Sequence, residues 1–191
     1  NQKKQVIAIN QKVINIERIN SISNLNWNIS LENQKQIKVN IIVICAALQT
    51  NEILKSLGYK IPMEGVLGQA INIQLECNLI QNLAAVINYD NLNLIPINSK
   101  ELIIGATLET SEKPSEKKLQ EMLALNELKP DWIKASNTNS KWYGLRAKPI
   151  NKPAPILEKL EKNLIIATGH YRNGVLLAPA TAEWVGEAIS E

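Results

Sequence analysis

The sequence predicts an α+β protein in which strands outnumber helices. Segments of alternating apolar residues recur along most of the chain, and two or three stretches have the periodicity of a helix. Both chain ends carry strand patterns around a different middle block, so we expect the ends to form one domain and the middle another. A chain of 191 residues can bury a sizeable core.

The first strands are predicted from β-branched residues that alternate with polar ones. QVIAIN, KVINIERI and NWNISLE all alternate, and a turn at Gln34 and Lys35 precedes QIKVNIIVICAA. Within that last segment, residues 41–45 are continuously apolar, which is typical of a strand covered on both faces. LQTNEILKSLG then shows a helical stripe, with Gly58 where a helix commonly ends.

The middle block is predicted to be a mostly antiparallel sheet with one helix. Alternation returns in EGVLGQAINIQLE, LAAVINY, LNLIPI and ELIIGATLE. SEKKLQEMLALNEL is predicted as a helix with Ser115 as its N-cap and Pro130 at its end. The Pro-rich residues 131–162 are expected to be irregular. NLIIAT is then a buried strand, and GVLLAPATAEWVGEAI is a helix that must accommodate Pro179 near its first turn or by a kink.

Composition and motifs exclude several classes of protein. No apolar run reaches the ~18 residues that a membrane span needs, and the basic start lacks the apolar core of a signal peptide. The net charge of +3 is scattered, so nucleic-acid binding is not expected. GxGxxG, P-loop, HExxH and GxSxG motifs are absent, and a single histidine leaves little material for a metal site.

The two cysteines, Cys45 and Cys77, lie in apolar segments without metal-binding spacing. We expect both to be buried, reduced thiols, while a disulfide or a ligand role is the less favoured alternative. Reduced thiols favour a cytoplasmic location.

Two short stretches carry the candidate chemistry. WYGLR (142–146) and GHYRNG (169–174) contain two of the three arginines and the only histidine. An arginine beside aromatic residues suits a carboxylate through two parallel N–H···O bonds, although a salt bridge or packing on Trp142 remains open. A polar turn before a helix presents free N–H groups that suit an anion, although ordinary capping by Asn173 remains open.

At these stretches the sequence resembles the D-amino-acid-oxidase-like flavoproteins, and most closely the glycine oxidase branch of thiamine biosynthesis. GHYRNGVLLAPATAEWV is similar to the family's C-terminal flavin-binding segment, and WYGLRAKPINKPAPIL to its GLRP segment. PMEGVLGQAINI, LIPINSKELIIGATLE and IIVICAALQT are similar to three of its strand motifs. The resemblance covers essentially the whole chain.

The resemblance implies a FAD-binding domain that is interrupted by a substrate-binding domain. Residues 1–57 and 141–191 would belong to the FAD-binding domain, and residues 58–140 to the substrate-binding domain. Cys45 and Ile165 would then lie on adjacent buried strands of one sheet. The family begins with a GxGxxG unit that this sequence lacks. We therefore expect a C-terminal fragment, which by itself would neither hold FAD nor turn over an amino acid.

The resemblance also implies roles for particular residues. Arg146 would clamp the substrate carboxylate, Arg172 would line the site near the flavin, and Tyr89 and Gln69 would be further substrate contacts. The implied cofactor contacts share three segments of the FAD-binding domain: Val13, Ala46, Ala47, Gly169, His170, Tyr171, Arg172, Asn173, Gly174, Val175, Leu176 and Leu177.

Several positions depart from the family pattern. The arginine of its RGQ motif is Leu67 here, although Gly68 and Gln69 are kept, and the arginine of its VPR motif is Ile97. The glycine of its A-x-G-x-W-S motif is Ala47, which would crowd a close approach of backbone and cofactor. These departures affect the identity of the substrate more than the fold.

The activity implied is oxidation of the amine of glycine or a D-amino acid by hydride transfer to the flavin of the whole protein. The expected partner is a small amino acid, and a homo-oligomer is compatible with this interpretation. Two alternatives remain open. One is a D-amino-acid dehydrogenase that uses an acceptor other than oxygen. The other is a degenerate, non-catalytic domain that binds a carboxylate or a partner protein.

Overall fold

The protein is known here from a computed structural model, which describes residues 6–19, 26–76, 78, 85–89, 91–125, 130–134 and 136–190. The chain divides into two compact units. The first combines Asn1–Met63 with Ala147–Glu191, and the second is Glu64–Arg146. These boundaries each lie six residues further along the chain than the predicted ones, at 63 instead of 57 and at 146 instead of 140.

The first unit contains an antiparallel sheet of three consecutive strands, which are β1 (Val13–Arg18), β2 (Trp27–Leu31) and β3 (Gln36–Val39). Alternation in KVINIERI and NWNISLE predicted the first two strands, and the structure confirms both. The strand predicted at QVIAIN is wrong, because residues 6–10 form no regular secondary structure. The side chains of Ile16 and Trp27 point to the core and are almost fully buried. The buried face of this sheet therefore forms part of the apolar core of the unit.

A second sheet of the first unit joins distant parts of the chain. Its strands are β4 (Ile42–Ile44), β10 (Ile156–Glu161) and β11 (Leu164–Thr168), in the order β10-β11-β4. β11 runs parallel to β4, and Ile165 pairs with Val43. The predicted adjacency of these two strands is confirmed. All five residues of β11 are buried, as expected for NLIIAT.

The prediction of a buried thiol at Cys45 is wrong. The segment QIKVNIIVICAA forms two strands, β3 and β4, and the second of them ends at Ile44. Cys45 comes directly after the last paired residue of the ladder and is exposed as a free thiol. Cys77 lies outside the described residues.

The first unit has one short helix after β4 and one long helix after β11. After a 3₁₀ turn at Ala47–Gln49, α1 (Thr50–Leu54) continues into a second 3₁₀ turn that ends at Gly58, whose φ of 79° confirms its predicted role. Near the C-terminus, the fourth helix of the chain begins at Gly174 and ends at Ser190. Pro179 is its sixth residue and is exposed, so the helix tolerates the missing N–H beyond its first turn.

The second unit is built on a five-stranded sheet with the order β6-β7-β8-β5-β9. The strands are β5 (Met63–Leu75), β6 (Ile87–Tyr89), β7 (Leu92–Asn98), β8 (Glu101–Gly105) and β9 (Ser136–Pro149), of which β5 and β9 extend slightly into the first unit. The pairs β6–β7, β7–β8 and β5–β8 are antiparallel, as predicted for this block. The α+β fold class is therefore confirmed.

Helix α2 (Glu116–Ala124) packs on this sheet through Leu119 and Met122. The hydroxyl of Ser115 accepts a hydrogen bond from the Lys118 N–H, which confirms the predicted N-cap. The helix ends earlier than predicted, because Leu125 already adopts a left-handed conformation. A short helix, α3 (Asp131–Lys134), follows, and the C-terminal helix Gly174–Ser190 is therefore α4.

The prediction of an irregular segment at 131–162 is also wrong. This stretch contains α3, the fourteen residues of β9 and the six residues of β10. The described side chains of β9 are mostly exposed up to Leu145, so the strand has no apolar alternation to reveal it. Its pairing partner β5 is more than 60 residues away in the sequence, and pairing with that strand overrides the weak local preference.

Candidate functional site

In the first unit, the carboxyl ends of the parallel strands β4 and β11 bring two predicted segments together. Ala46 and Ala47 follow β4, and Gly169 follows β11. The Thr168 hydroxyl donates to the Ala47 carbonyl oxygen at 3.3 Å, which joins the two segments directly. The Thr50 hydroxyl lies 3.3 Å from the Thr168 hydroxyl and supports it from below. We call residues 45–47 together with 169–176 the β4–β11 edge.

The turn GHYRNG is held in place mainly by its backbone. Gly169 has a φ of 66°, and a β-carbon there would lie 3.0 Å from Pro149 Cγ. Both the left-handed backbone and the close contact favour glycine at this position. The Tyr171 N–H donates to the Ala147 carbonyl at 3.1 Å. The His170 Nε2 atom lies 2.9 Å from the Thr181 hydroxyl, so this ring holds the turn against α4.

The N-terminus of α4 presents unpaired backbone donors. The first intrahelical bond runs from the Leu177 N–H to the Asn173 carbonyl at 2.9 Å. Among the described residues, no acceptor is bonded to the N–H groups of Gly174, Val175 and Leu176. The side chains of Val175 and Leu176 are 93% and 79% exposed. Leu177 was predicted to contact the cofactor, but its N–H is already used within the helix.

Ordinary capping by Asn173 is not what the structure shows, because within the described residues its side chain makes no hydrogen bond to α4. Asn173 and Arg172 are both exposed on the turn. Their predicted contacts with cofactor and substrate stay predictions.

An apolar groove of about 270 Å³ lies next to the β4–β11 edge. It brings together two of the predicted cofactor contacts, Val13 and Ala46, and Cys45 also lines it. Partial desolvation by these surroundings raises the pKa of the Cys45 thiol. The groove thus offers an apolar surface that continues from the end of β4 to β1 and β2.

Ala47 occupies a conformation that favours glycine. Its φ is 48°, in the left-handed region that residues with a β-carbon rarely adopt. This is the position at which the resembled family has glycine, so alanine retains the backbone shape at an energetic cost.

In the second unit, Arg146 lies directly against Gly68 of β5. A β-carbon at Gly68 would be 2.1 Å from Nη1 and 2.2 Å from Nη2 of Arg146, so the guanidinium occupies the space that a side chain would fill. Arg146 Nη1 also donates to the Thr107 carbonyl oxygen at 3.4 Å. Gly68, Thr107 and Arg146 together form what we call the arginine seat. The absence of a side chain at position 68 is what lets the half-buried arginine lie flat on the strand.

Beneath the arginine seat is a buried carboxylate that the sequence analysis did not single out. Glu109 is 6% exposed and accepts hydrogen bonds from the Thr107 hydroxyl (2.5 Å), the Gln69 amide (2.8 Å) and the Ser115 N–H (2.9 Å). These four residues form the Glu109 network. Burial by itself raises the pKa of Glu109, but the three hydrogen bonds, together with the positive charge of Lys118, outweigh it and hold the pKa below its ordinary value.

Gln69 was predicted to contact the substrate, and its surroundings favour a structural role. The residue is buried, and its amide nitrogen donates both to Glu109 Oε1 and to the Ser115 carbonyl, each at 2.8 Å. The sequence signal that could have revealed this network is the pair of polar residues, Thr107 and Glu109, that follows the apolar run of ELIIGATLE.

The structure does not bring Tyr89 to Arg146. Tyr89 ends β6, whereas Arg146 lies on β9, and these are the opposite edge strands of the five-stranded sheet. Four strand spacings separate them, or roughly 19 Å. Contact of both residues with one small substrate stays a prediction that this arrangement does not favour.

The described residues show no cluster of three or more metal-binding side chains. Within the same part of the chain, no helix has both the length and the apolar character that crossing a bilayer requires.

Parallel strand ends beside a helix N-terminus are an arrangement that proteins binding an anionic nucleotide cofactor commonly use. Residues 2–188 match the family described as FAD dependent oxidoreductase, and the chain belongs to this family.

Sequence relatives agree with this assignment. The chain is 29% identical over 164 residues to a glycine oxidase of Pseudomonas aeruginosa, and 26% identical over 152 residues to one of Bacillus licheniformis. These matches cover 81% and 77% of this chain but 43% and 40% of the relatives, so the chain spans less than half of their length. The whole protein's activity is therefore a matter for proposal.

Two solved structures share the fold over 94% of the chain. A glycine oxidase from Bacillus cereus superposes with a TM-score of 0.78 at 23% identity, covering 50% of that chain. L-proline dehydrogenase from P. horikoshii superposes with a TM-score of 0.74 at 23% identity, covering 49% of that chain.

Proposed function

We propose that the protein to which this chain belongs is a FAD-dependent oxidoreductase that oxidises the amine of a small amino acid, glycine or a D-amino acid. The observation that carries the proposal is the arginine seat, because it fixes a guanidinium on a strand in a family that uses FAD. The relatives named glycine oxidase support the choice of an amino acid as substrate.

On the substrate side, Arg146 would bind the carboxylate of the amino acid. A guanidinium can present two parallel N–H donors to a carboxylate, whereas an ammonium acts as a point charge. Gly68 and the Thr107 carbonyl restrict the orientation of the guanidinium, so little freedom is lost when the substrate binds. Orienting the substrate in this way is the main contribution that side chains make when a cofactor carries the chemistry.

On the cofactor side, the residues of the β4–β11 edge fit FAD. The N–H groups of Gly174, Val175 and Leu176 have no acceptor in the described part of the chain, and they lie at the positive end of a 17-residue helix, where anionic groups are stabilised. The exposed side chains of Val175 and Leu176, together with the apolar groove, would cover the rings of the cofactor. When bound, FAD would accept the hydride that leaves the Cα of the substrate.

The helix N-terminus also suits the charge change of the reaction. Hydride transfer increases negative charge on the accepting ring system, and the donors of α4 would stabilise this charge without reorganising. The chain's single histidine is assigned no part in this step, which the cofactor carries, and its Nε2 atom is paired with the Thr181 hydroxyl.

The first experiment is a flavin spectrum of the whole protein, purified from cells that supply FAD. We expect a yellow protein whose flavin absorbance bleaches when glycine or a D-amino acid is added without oxygen. Recovery of the colour on admitting air would indicate an oxidase, and recovery only with a quinone would indicate a dehydrogenase. A colourless protein that oxidises no amine would instead favour a non-catalytic carboxylate-binding domain.

We also propose a cytoplasmic location. Its support is the free, exposed thiol of Cys45, since thiols of this kind persist in reducing compartments.

A further inference from the structure

The segment after β8 carries one extra residue opposite β5. Ala70 pairs with Gly105, whereas Leu67 pairs with Glu109, so the register shifts by one residue between the two pairs. This shift is a β-bulge, and bulges often re-aim a group beside a functional site. On this bulge lies Thr107, whose carbonyl oxygen accepts the hydrogen bond from Arg146.

Both neighbours of Gly68 are bonded to the bulged segment. Leu67 and Glu109 exchange two backbone hydrogen bonds, each of 2.9 Å. The Thr107 N–H donates to the Gln69 carbonyl at 3.1 Å, and the Gln69 N–H donates to the Thr107 hydroxyl at 2.8 Å. The surface on which Arg146 rests and the carbonyl that it contacts therefore form one connected piece of backbone.

The carboxylate of Glu109 completes this piece. It is the acceptor for the Thr107 hydroxyl, the Gln69 amide and the Ser115 N–H, and the site is almost closed to water. A neutral substitute cannot satisfy all three donors, since a glutamine amide would place one N–H group against another donor. Loss of the carboxylate would leave buried donors unpaired and release Thr107 from its position.

We infer that Glu109 is a positioning residue for Arg146. It holds Thr107 and the backbone around Gly68 so that the guanidinium faces the carboxylate of the substrate. This inference rests on the proposed function, in which Arg146 binds that carboxylate. A purely structural Glu109 would contribute to stability but not to the preference for substrates that carry a carboxylate.

The test is a ratio measured in the whole, FAD-loaded protein. It compares kcat/KM for an amino acid with kcat/KM for the corresponding amine without the carboxylate, such as glycine against methylamine. We expect Arg146→Lys to lower this ratio about 100-fold and Glu109→Gln to lower it about 10-fold. The matched control is Glu101→Gln, which removes a carboxylate hydrogen-bonded to Asn72 and Asn98 in the same sheet and should leave the ratio unchanged.

A second readout does not depend on activity. In the ¹⁵N spectrum of the whole protein, Arg146 gives one side-chain Nε–Hε signal, which its loss in Arg146→Lys assigns. The Arg146 signal should move in Glu109→Gln and stay in place in Glu101→Gln. If Glu109→Gln does not fold, Thr107→Val removes the bridging hydroxyl and should produce the same two changes.

The outcomes separate the two ideas. If Arg146→Lys lowers the ratio while Glu109→Gln and Thr107→Val alter neither the ratio nor the Arg146 signal, the positioning role is overturned and the proposed function stands. If Arg146→Lys itself leaves the ratio unchanged, the proposed carboxylate contact is wrong, and this inference is overturned with it.

Discussion

The β4–β11 edge relies on backbone groups, whereas the arginine seat relies on side chains. At the β4–β11 edge the candidate contacts are backbone N–H groups of α4 and exposed side chains, held by a turn whose own bonds run mostly through the main chain. At the arginine seat a single side chain lies against a glycine, above a buried network of polar side chains. The seat should therefore be sensitive to single substitutions, whereas the edge should respond mainly to changes of backbone conformation.

The largest effect is expected from Arg146→Lys. An ammonium cannot replace the planar fork of a guanidinium, so kcat/KM for the amino acid should fall about 100-fold, or about 2.7 kcal/mol, chiefly through a higher KM. Steady-state kinetics of the whole protein measure this change.

Arg18→Lys is the control for that substitution. Arg18 also uses its fork, donating from Nε and Nη2 to the two oxygens of Glu161, but it does so within the fold of the first unit. The pair is half exposed, so the variant should lose at most about 1 kcal/mol of stability and keep its kinetics. Equal kinetic losses in both variants would remove the special role assigned to Arg146.

Gly68→Ala should have the next largest effect. The new β-carbon would lie where Nη1 and Nη2 of Arg146 now lie, so the guanidinium must leave its seat. We expect kcat/KM to fall about 30-fold, measured together with the melting temperature to separate displacement from unfolding. Gly144→Ala is the matched control, because a β-carbon there has no neighbour within 4 Å. An unperturbed Gly68→Ala enzyme would show that the position of the guanidinium is unimportant.

Glu109→Gln should reveal a pH-dependent contribution to stability. The pKa of Glu109 is lowered in the folded state, so the carboxylate stabilises the fold above its unfolded pKa of about 4.3, and this contribution is lost as the pH falls through the folded pKa. At neutral pH the variant should be less stable by about 1–3 kcal/mol. In urea unfolding, the difference from the parent should shrink as the solution is acidified, and a pH-independent difference would contradict the assignment.

The smallest effect is expected at the β4–β11 edge, from Ala47→Gly. The left-handed φ of 48° disfavours alanine by about 1–2 kcal/mol, while glycine loses about 0.4–1 kcal/mol more through the flexibility of the unfolded chain. The variant should therefore be more stable by about 0.5 kcal/mol in urea unfolding. Ala46→Gly, with an ordinary φ of −93°, should instead be destabilising. If both substitutions have the same sign, the backbone at Ala47 is not the limiting feature.

The sequence by itself determined what depends on neighbours within a few residues. Alternation located β1, β2 and β5, the N-cap Ser115 located the start of α2, and the polar turn GHYRNG located the start of α4. In each case the governing contacts are local, because a strand's period of two or a helix's period of 3.6 is written in consecutive residues.

Tertiary structure decided what depends on residues far apart. The space above Gly68 belongs to an arginine 78 residues later, and Gln69 is enclosed by Glu109 and Ser115, about 40 residues away. β9 is a strand because β5 offers it a partner, although its own residues are polar and mostly exposed. None of these contacts produces a periodic pattern in the sequence. Side-chain pairing between distant strands depends on their register, which is set only when the sheet forms.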